Sequence, residues 1–302
     1  MIHRILCPLD LSEFSKRAFE HALVLGRWYG ARVVALHVFT GFMPPGDEST
    51  YPGWLRRLPE ARKEIDGELR AQASSPLAEG MDVALAVREG DAVSEILAEV
   101  RAMAADLVVL STHGRSGFDR FTLGSVAEKL LRKAPCPVLV VPAQADARGR
   151  RFEGYCRIIC ATDFSEDSRR ALDFALSIAE RAGSRLTLAH VVEVADSPEV
   201  VEGDSALGVV RRERIARARE RLRALAVEHD GRGPTIDEAV RLGRAHTELL
   251  ALASETAADL LVLGVRGRGA IDLTLFGSTT NQVVRRATCD VLTVGRGSQS
   301  SG

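Results

Sequence analysis

Short apolar runs alternate along this chain with longer stretches whose apolar residues recur at helical spacing. Arg4–Leu9 is the first such run and predicts a strand. Ser12 then opens a helical pattern as a candidate N-cap, and Gly30 closes it after Tyr29. Val33–Phe39 predicts a second strand, and Thr40–Gly53, with Pro44, Pro45 and Pro52, a loop. A charged helix is expected from Leu55 to Ser74, a strand over Val83–Val87 and a helix over Asp91–Ala104. Leu107–Leu110 reads as a fourth strand, Gly124-Ser125 to Lys133 as a last helix, and Val138–Val141 as a fifth strand. Runs without polar alternation, such as Leu260–Leu263, are those of strands buried on both sheet faces.

The same order then returns. Adding 153 to a residue number often recovers its chemistry: Asp10 becomes Asp163, His37 becomes His190 and Cys136 becomes Cys289. The second set of strands falls near Ile158–Ala161, Leu186–Val192, Ile236–Val240, Leu260–Leu263 and Val291–Val294, with a long Arg- and Glu-rich helix over Ala206–Glu228. That charge run reads as a solvated face. Strands alternating with helices give βαβ units. The expectation is an α/β fold of two tandem Rossmann-like domains, each a five-stranded parallel sheet with helices on both faces. The domains fall at 1–142 and 156–295, with a linker at 143–155 and a tail at 296–302. Ligands of such folds bind beyond the carboxyl ends of the strands, where the strand order reverses.

Composition narrows the function classes. A formal net charge of −1 provides no basic field for nucleic acid, and 5% aromatic residues offer few stacking platforms. The apolar run at Ile5–Leu9, closed by Asp10, is too short for a signal-peptide core, and no run reaches the roughly 18–20 residues of a membrane span. Five cysteines without a C-x-x-C pair read as free, buried thiols in a reducing cytoplasm, and no Cys/His cluster has zinc spacing.

The candidate chemistry lies after the fourth strand. The second copy reads Gly264-Val-Arg-Gly267, nine residues, then Gly277-Ser278. The first reads Ser111-Thr-His-Gly114, nine residues, then Gly124-Ser125. Glycines admit a phosphate close to backbone N–H groups, and a helix start adds free N–H groups and a positive dipole end. There is no P-loop G-x-x-x-x-G-K-[ST] and no G-x-G-x-x-G after either first strand. Asp10 and Asp163 read either as ligand contacts or as N-caps, in competition with Ser12 and Ser165. His37 and His190 read as packed histidines. His113 is matched by Arg266, which argues against a catalytic role. Arg115 and Arg268 correspond, and either touch phosphate or face water.

This doubled pattern resembles the universal stress protein family, whose ATP-binding members carry G-x-x-G, nine residues, then G-[ST] after the fourth strand. The likeness extends to Leu36-His37-Val38, Ala189-His190-Val191 and Pro135–Val141. The resemblance implies an adenine nucleotide, ATP or ADP or AMP, with Mg2+ on the phosphates. Asp10 and Asp163 would hold the ribose and adenine end, and Val38 and Val191 would pack on adenine. Gly114 with Gly124-Ser125, and Gly267 with Gly277-Ser278, would wrap the phosphates. Gly264 completes the second site; Ser111 replaces it in the first, where a side chain disfavours positive φ. The second site is therefore expected to bind better.

The fifth strand is commonly the family's pairing edge. The two copies would then pair as subunits do, and the chain would be able to form a homodimer. Thr288-Cys-Asp290 stands there in place of Pro135-Cys-Pro137, a difference that bears on domain docking. No catalytic residue and no protein metal ligand is assigned. The expected function is a cytoplasmic, nucleotide-dependent stress sensor or regulator. The alternatives are an interaction scaffold of the same fold that binds no nucleotide, and a slow ATPase.

Overall fold

A computed structural model describes residues 2–39, 51–112, 123–143, 152–193, 206–229, 233–265 and 277–295. Contacts divide the chain into two compact units, one built on Met1–Ala143 and the other on Glu153–Gly302.

In the first unit the elements run β1 (Arg4–Pro8), α1 (Glu13–Tyr29), β2 (Arg32–Phe39), α2 (Tyr51–Ala73), β3 (Val83–Glu89), α3 (Ala92–Ala102), β4 (Leu107–Ser111), α4 (Ser125–Lys133) and β5 (Val138–Val141). The second repeats them as β6 (Arg157–Ala161), α5 (Glu166–Ala182), β7 (Arg185–Val192), α6 (Ala206–Glu228), β8 (Ile236–Leu242), α7 (Ala245–Glu255), β9 (Leu260–Gly264), α8 (Ser278–Arg286) and β10 (Asp290–Val294). The strand orders are β3-β2-β1-β4-β5 and β8-β7-β6-β9-β10, and the pairings within each are parallel. Right-handed crossovers put α1 with α2 on one face and α3 with α4 on the other. The expected α/β architecture is thus present in both copies.

The local signals act as their chemistry dictates. Ser12 and Ser165 cap α1 and α5 by accepting the N–H of Ser15 and Ser168. Gly30 and Gly183 end those helices at φ 63° and 67°, a left-handed conformation that costs glycine nothing. The central strands are almost wholly buried: Ile5, Leu6 and Cys7 are 0% exposed. β3 and β8 run two residues past their expected ends, to Glu89 and Leu242, and α2 begins at Tyr51 rather than Leu55. Pro52 and Gly53 therefore lie in its first turn, where a missing N–H costs no hydrogen bond.

Four of the five thiols are at least partly shielded, whereas Cys156 is exposed. Burial pushes Cys7 and Cys160 far up, and Cys136 and Cys289 up to about 12. Tyr155, the last residue of the stretch read as linker, is buried in the second unit at 2% exposure. Its hydroxyl donates to Asp290 Oδ2 at 2.7 Å, and Ser184 Oγ donates to its carbonyl at 2.8 Å. Burial, then the Asp290 carboxylate, raises the phenol well above its ordinary value, so it stays a donor. The first copy has Ile2 and Pro137 at these places. The Thr288-Cys-Asp290 variation thus has a local role: Asp290 receives the tyrosine.

Two predictions follow from this packing. Tyr155→Phe leaves a buried carboxylate short of a donor and should destabilise the second unit by about 1–3 kcal/mol in chemical denaturation; no loss would show that Asp290 is satisfied without it. Asp91 caps α3, and bonds from the Ser94 N–H and hydroxyl lower its carboxyl pKa. A lowered folded value means its contribution is full above the unfolded pKa of about 3.9 and is lost as pH falls through the folded value. The gap in melting temperature between the wild type and Asp91→Ala should accordingly narrow on acidification below about pH 4.

Candidate functional site

At the carboxyl end of β6 the chain turns through Thr162-Asp163-Phe164. Asp163 Oδ1 accepts the N–H of Ser165 at 3.0 Å, and Thr162 Oγ1 accepts that of Phe164 at 3.0 Å. In the first unit Asp10 Oδ1 accepts the Ser12 N–H at 3.1 Å and its hydroxyl at 2.6 Å. Each aspartate therefore forms an Asx turn while the serine caps the helix, which resolves the competition between them. The residue that follows is forced into left-handed backbone: φ is 65° at Leu11 and 64° at Phe164. For a residue with a side chain this costs on the order of 1–3 kcal/mol, and both copies retain it.

The two histidines brace the same turn. Nδ1 of His37 lies 2.7 Å from the Leu9 carbonyl, and Nδ1 of His190 lies 2.7 Å from that of Thr162. A carbonyl only accepts, so Nδ1 carries the proton in each and ties the second strand of the unit to the end of the first. This is the packing role expected from the sequence. The His190 ring also tilts against Phe164, with centroids 4.6 Å apart, and the Arg221 guanidinium sits 3.8 Å from the centroid of the same ring.

The glycines work differently from the expectation. Gly124 and Gly277 cap α4 and α8 at φ −57° and −56°, and neither Ser111 nor Gly264 is left-handed. A positive φ is therefore not what Ser111 would disturb. The constraint is close approach. A Cβ on Gly277 would lie 2.8 Å from the Val265 carbonyl oxygen, the atom that accepts the Gly277 N–H at 3.0 Å. Gly124 closes its loop on Thr112 in the same way, at 2.8 Å. A Cβ on Gly264 would lie 3.0 Å from the backbone of Asp167 and Ser168, so glycine lets the start of α5 rest on the end of β9.

Because the Gly277 N–H is committed to loop closure, an anion at this helix would meet the N–H groups of Ser278, Thr279 and Thr280. No side chain caps α8, and Asn281 is the first residue to donate back into it, to the Gly277 carbonyl at 2.9 Å. Thr280 Oγ1 donates to the Gly264 carbonyl at 2.9 Å and locks the helix start to the strand end.

Asp163, Val191, Gly264, Gly277 and Ser278 all border one cavity of about 980 Å³. Gly267, Arg266 and Arg268 fall outside the described residues. In the first unit Asp10, Val38, Ser111, Gly124 and Ser125 occupy the matching strand ends and helix start. Gly114, His113 and Arg115 lie outside the described residues.

The cavity also has walls that the sequence reading missed. Phe164, Thr279 and Thr280 line it, and so do Arg214, Arg217 and Arg221 from α6. The charge run read as a solvated face thus presents one stripe to the cavity. Its signal was the spacing of three arginines beside Ala218 and Leu222, which are buried at 4% and 0% exposure. The two copies differ most here. Glu64 and Glu68 stand where the second copy has Arg217 and Arg221, and Glu128 stands in the first turn of α4 where α8 has Asn281.

The model of the universal stress protein family matches the chain twice, over residues 1–142 and 154–295. A universal stress protein of Mycolicibacterium smegmatis is 26% identical over 297 residues, which cover 96% of each chain. One from Methanocaldococcus jannaschii is 33% identical over 145 residues, 46% of this chain and 81% of its own. The crystal structure of a universal stress protein from Archaeoglobus fulgidus superimposes with a TM-score of 0.63 at 22% identity, covering 98% of this chain and 97% of the other. A putative universal stress protein from Pseudomonas aeruginosa gives 0.66 at 21% identity, covering 97% and 93%. At these identities the two structures speak for the fold alone. The double match of the family pattern goes further: this chain belongs to the universal stress protein family and carries two copies of its domain in tandem.

Proposed function

We propose that the second unit binds an adenine nucleotide and that the protein is a cytoplasmic, nucleotide-dependent stress regulator rather than a fast enzyme. The observation that carries this reading is the convergence of Asp163, Val191, Gly264 and the uncapped start of α8 on one cavity. Each group suits a part of the ligand. Asp163, oriented by its Asx turn, accepts hydrogen bonds from ribose hydroxyls. Val191 offers an apolar surface to the base. Ser278 and Thr279 present N–H groups and hydroxyls, and Thr280 its N–H, to phosphates at the positive end of the helix dipole. A divalent cation, when bound, would neutralise phosphate charge. Among the described residues no three His, Cys, Asp or Glu side chains form a cage for it, so phosphate oxygens would be its main ligands.

The first unit supports a different use. Ser111 replaces Gly264, and Glu128 opposes an anion at α4. There the reading is an interaction or scaffold domain that retains the loop for its structure. Within the chain, the two copies would pair as subunits of single-domain relatives do, and whole chains would dimerise.

Titration calorimetry, with mass spectrometry of ligand released from the purified protein, tests the nucleotide reading. ATP with magnesium at about 100 times its Kd should stabilise the second unit by roughly 2.7 kcal/mol. No binding below millimolar, with no thermal shift, would leave the scaffold reading for both units. Gly264→Ser, which installs the first copy's residue, should push α5 from β9. It should cost about 1–3 kcal/mol of stability and weaken ATP binding at least tenfold. Unchanged affinity would remove Gly264 from the site.

A further inference from the structure

We propose that the second cavity selects its ligand by charge. Arg214, Arg217 and Arg221 form a wall on the β7 side of the cavity whose positive charge, acting across it, favours nucleoside triphosphates over monophosphates without requiring a divalent cation. The proposal rests on the nucleotide reading and adds to it the ligand class and the residues that set it.

The wall is a product of helix geometry. Positions 214, 217 and 221 are three and four residues apart and so share one face of α6. Ala218 and Leu222, buried at 4% and 0% exposure, anchor the adjoining stripe to the sheet and hold the arginine stripe over the cavity. Arg221 is oriented by the Phe164 ring, 3.8 Å from its guanidinium. Arg214 and Arg217 are exposed and have no carboxylate partner among the described residues. Guanidinium groups present planar forks of donors that match phosphate oxygens, and they stay charged at every relevant pH.

The balance of charge around the cavity has the same sign. Three arginines border it against two carboxylates, Asp163 and Glu193. The start of α8 adds about half a positive charge. Nothing in the fold demands this wall. The first copy packs α2 on its own sheet through Leu69, 1% exposed, with Glu64 and Glu68 at the places of Arg217 and Arg221. Arg214 and Arg217, both exposed, are therefore spare to folding, and their effect falls on what enters the cavity.

The test compares AMP, ADP, ATP and inorganic tripolyphosphate by calorimetry, with magnesium and with EDTA. It uses the full chain as wild type, Arg214→Ala/Arg217→Ala and Arg214→Glu/Arg217→Glu. Both variants change exposed positions, and circular dichroism checks that they fold. In EDTA the wild type should bind ATP at least tenfold more tightly than AMP, and salt should weaken ATP more than AMP. The alanine pair should lose part of that preference. The glutamate pair should lose at least tenfold in ATP affinity and leave AMP within about threefold, since screened charge acts through the number of phosphates. ATP binding that is equal in all three proteins, or that vanishes in EDTA, overturns the wall and leaves the nucleotide reading standing. Tripolyphosphate that binds the wild type but not the glutamate pair, with no adenine nucleotide bound by either, overturns the nucleotide reading and keeps the wall.

Discussion

From the central strand of each sheet the chain crosses in one direction through its first two helices and returns to the other side through its third. Right-handed crossovers then place the helices of the outward path on one face and those of the return path on the other. The two layers part at the carboxyl end of the central strand, and a crevice opens there because no connection can cover it. In the second unit the turn after β6, the end of β9, the start of α8 and a stripe of α6 all face this crevice. The other features of the site depend on that reversal. It brings residues from 161 to 281 around one space, at the ends of their elements and in the turns beside them.

Closeness at the crevice is maintained at a cost that both copies bear. Leu11 and Phe164 are held in left-handed backbone so that Asp10 and Asp163 can close their Asx turns beneath a capped helix. His37 and His190 brace the same corner through a protonated Nδ1. Strain of this kind persists only where neighbouring bonds over-determine it. In the second unit Phe164 has a further use, because its ring supports both His190 and Arg221. Its counterpart Leu11 offers no such aromatic surface.

The two copies share this frame and differ in what lines it. Gly264, Thr280 and Asn281 make the second helix start close-packed, locked and free of acidic charge. Ser111, Ala127 and Glu128 stand in those places in the first copy. The asymmetry reaches the opposite end of the unit, where Tyr155 and Asp290 form a buried pair in place of Ile2 and Pro137. Duplication has preserved the backbone devices and released the side chains around them.

The sequence by itself determined the tandem α/β architecture, the helix ends at Gly30 and Gly183, and five of the residues that border the second cavity: Asp163, Val191, Gly264, Gly277 and Ser278. These signals are local or periodic: a glycine after a helix, an apolar run, a fixed offset. It left open which of Asp163 and Ser165 caps α5. It also assigned the arginine stripe of α6 to solvent and gave positive φ as the reason for Gly264. Those points belong to tertiary structure, because each depends on atoms distant in the chain. Gly264 matters for the backbone of Asp167 and Ser168, nearly a hundred residues earlier. Arg221 matters because the fold sets it on Phe164. A helical pattern shows which residues share a face, but only the packing of that helix decides whether the face meets water or a cavity.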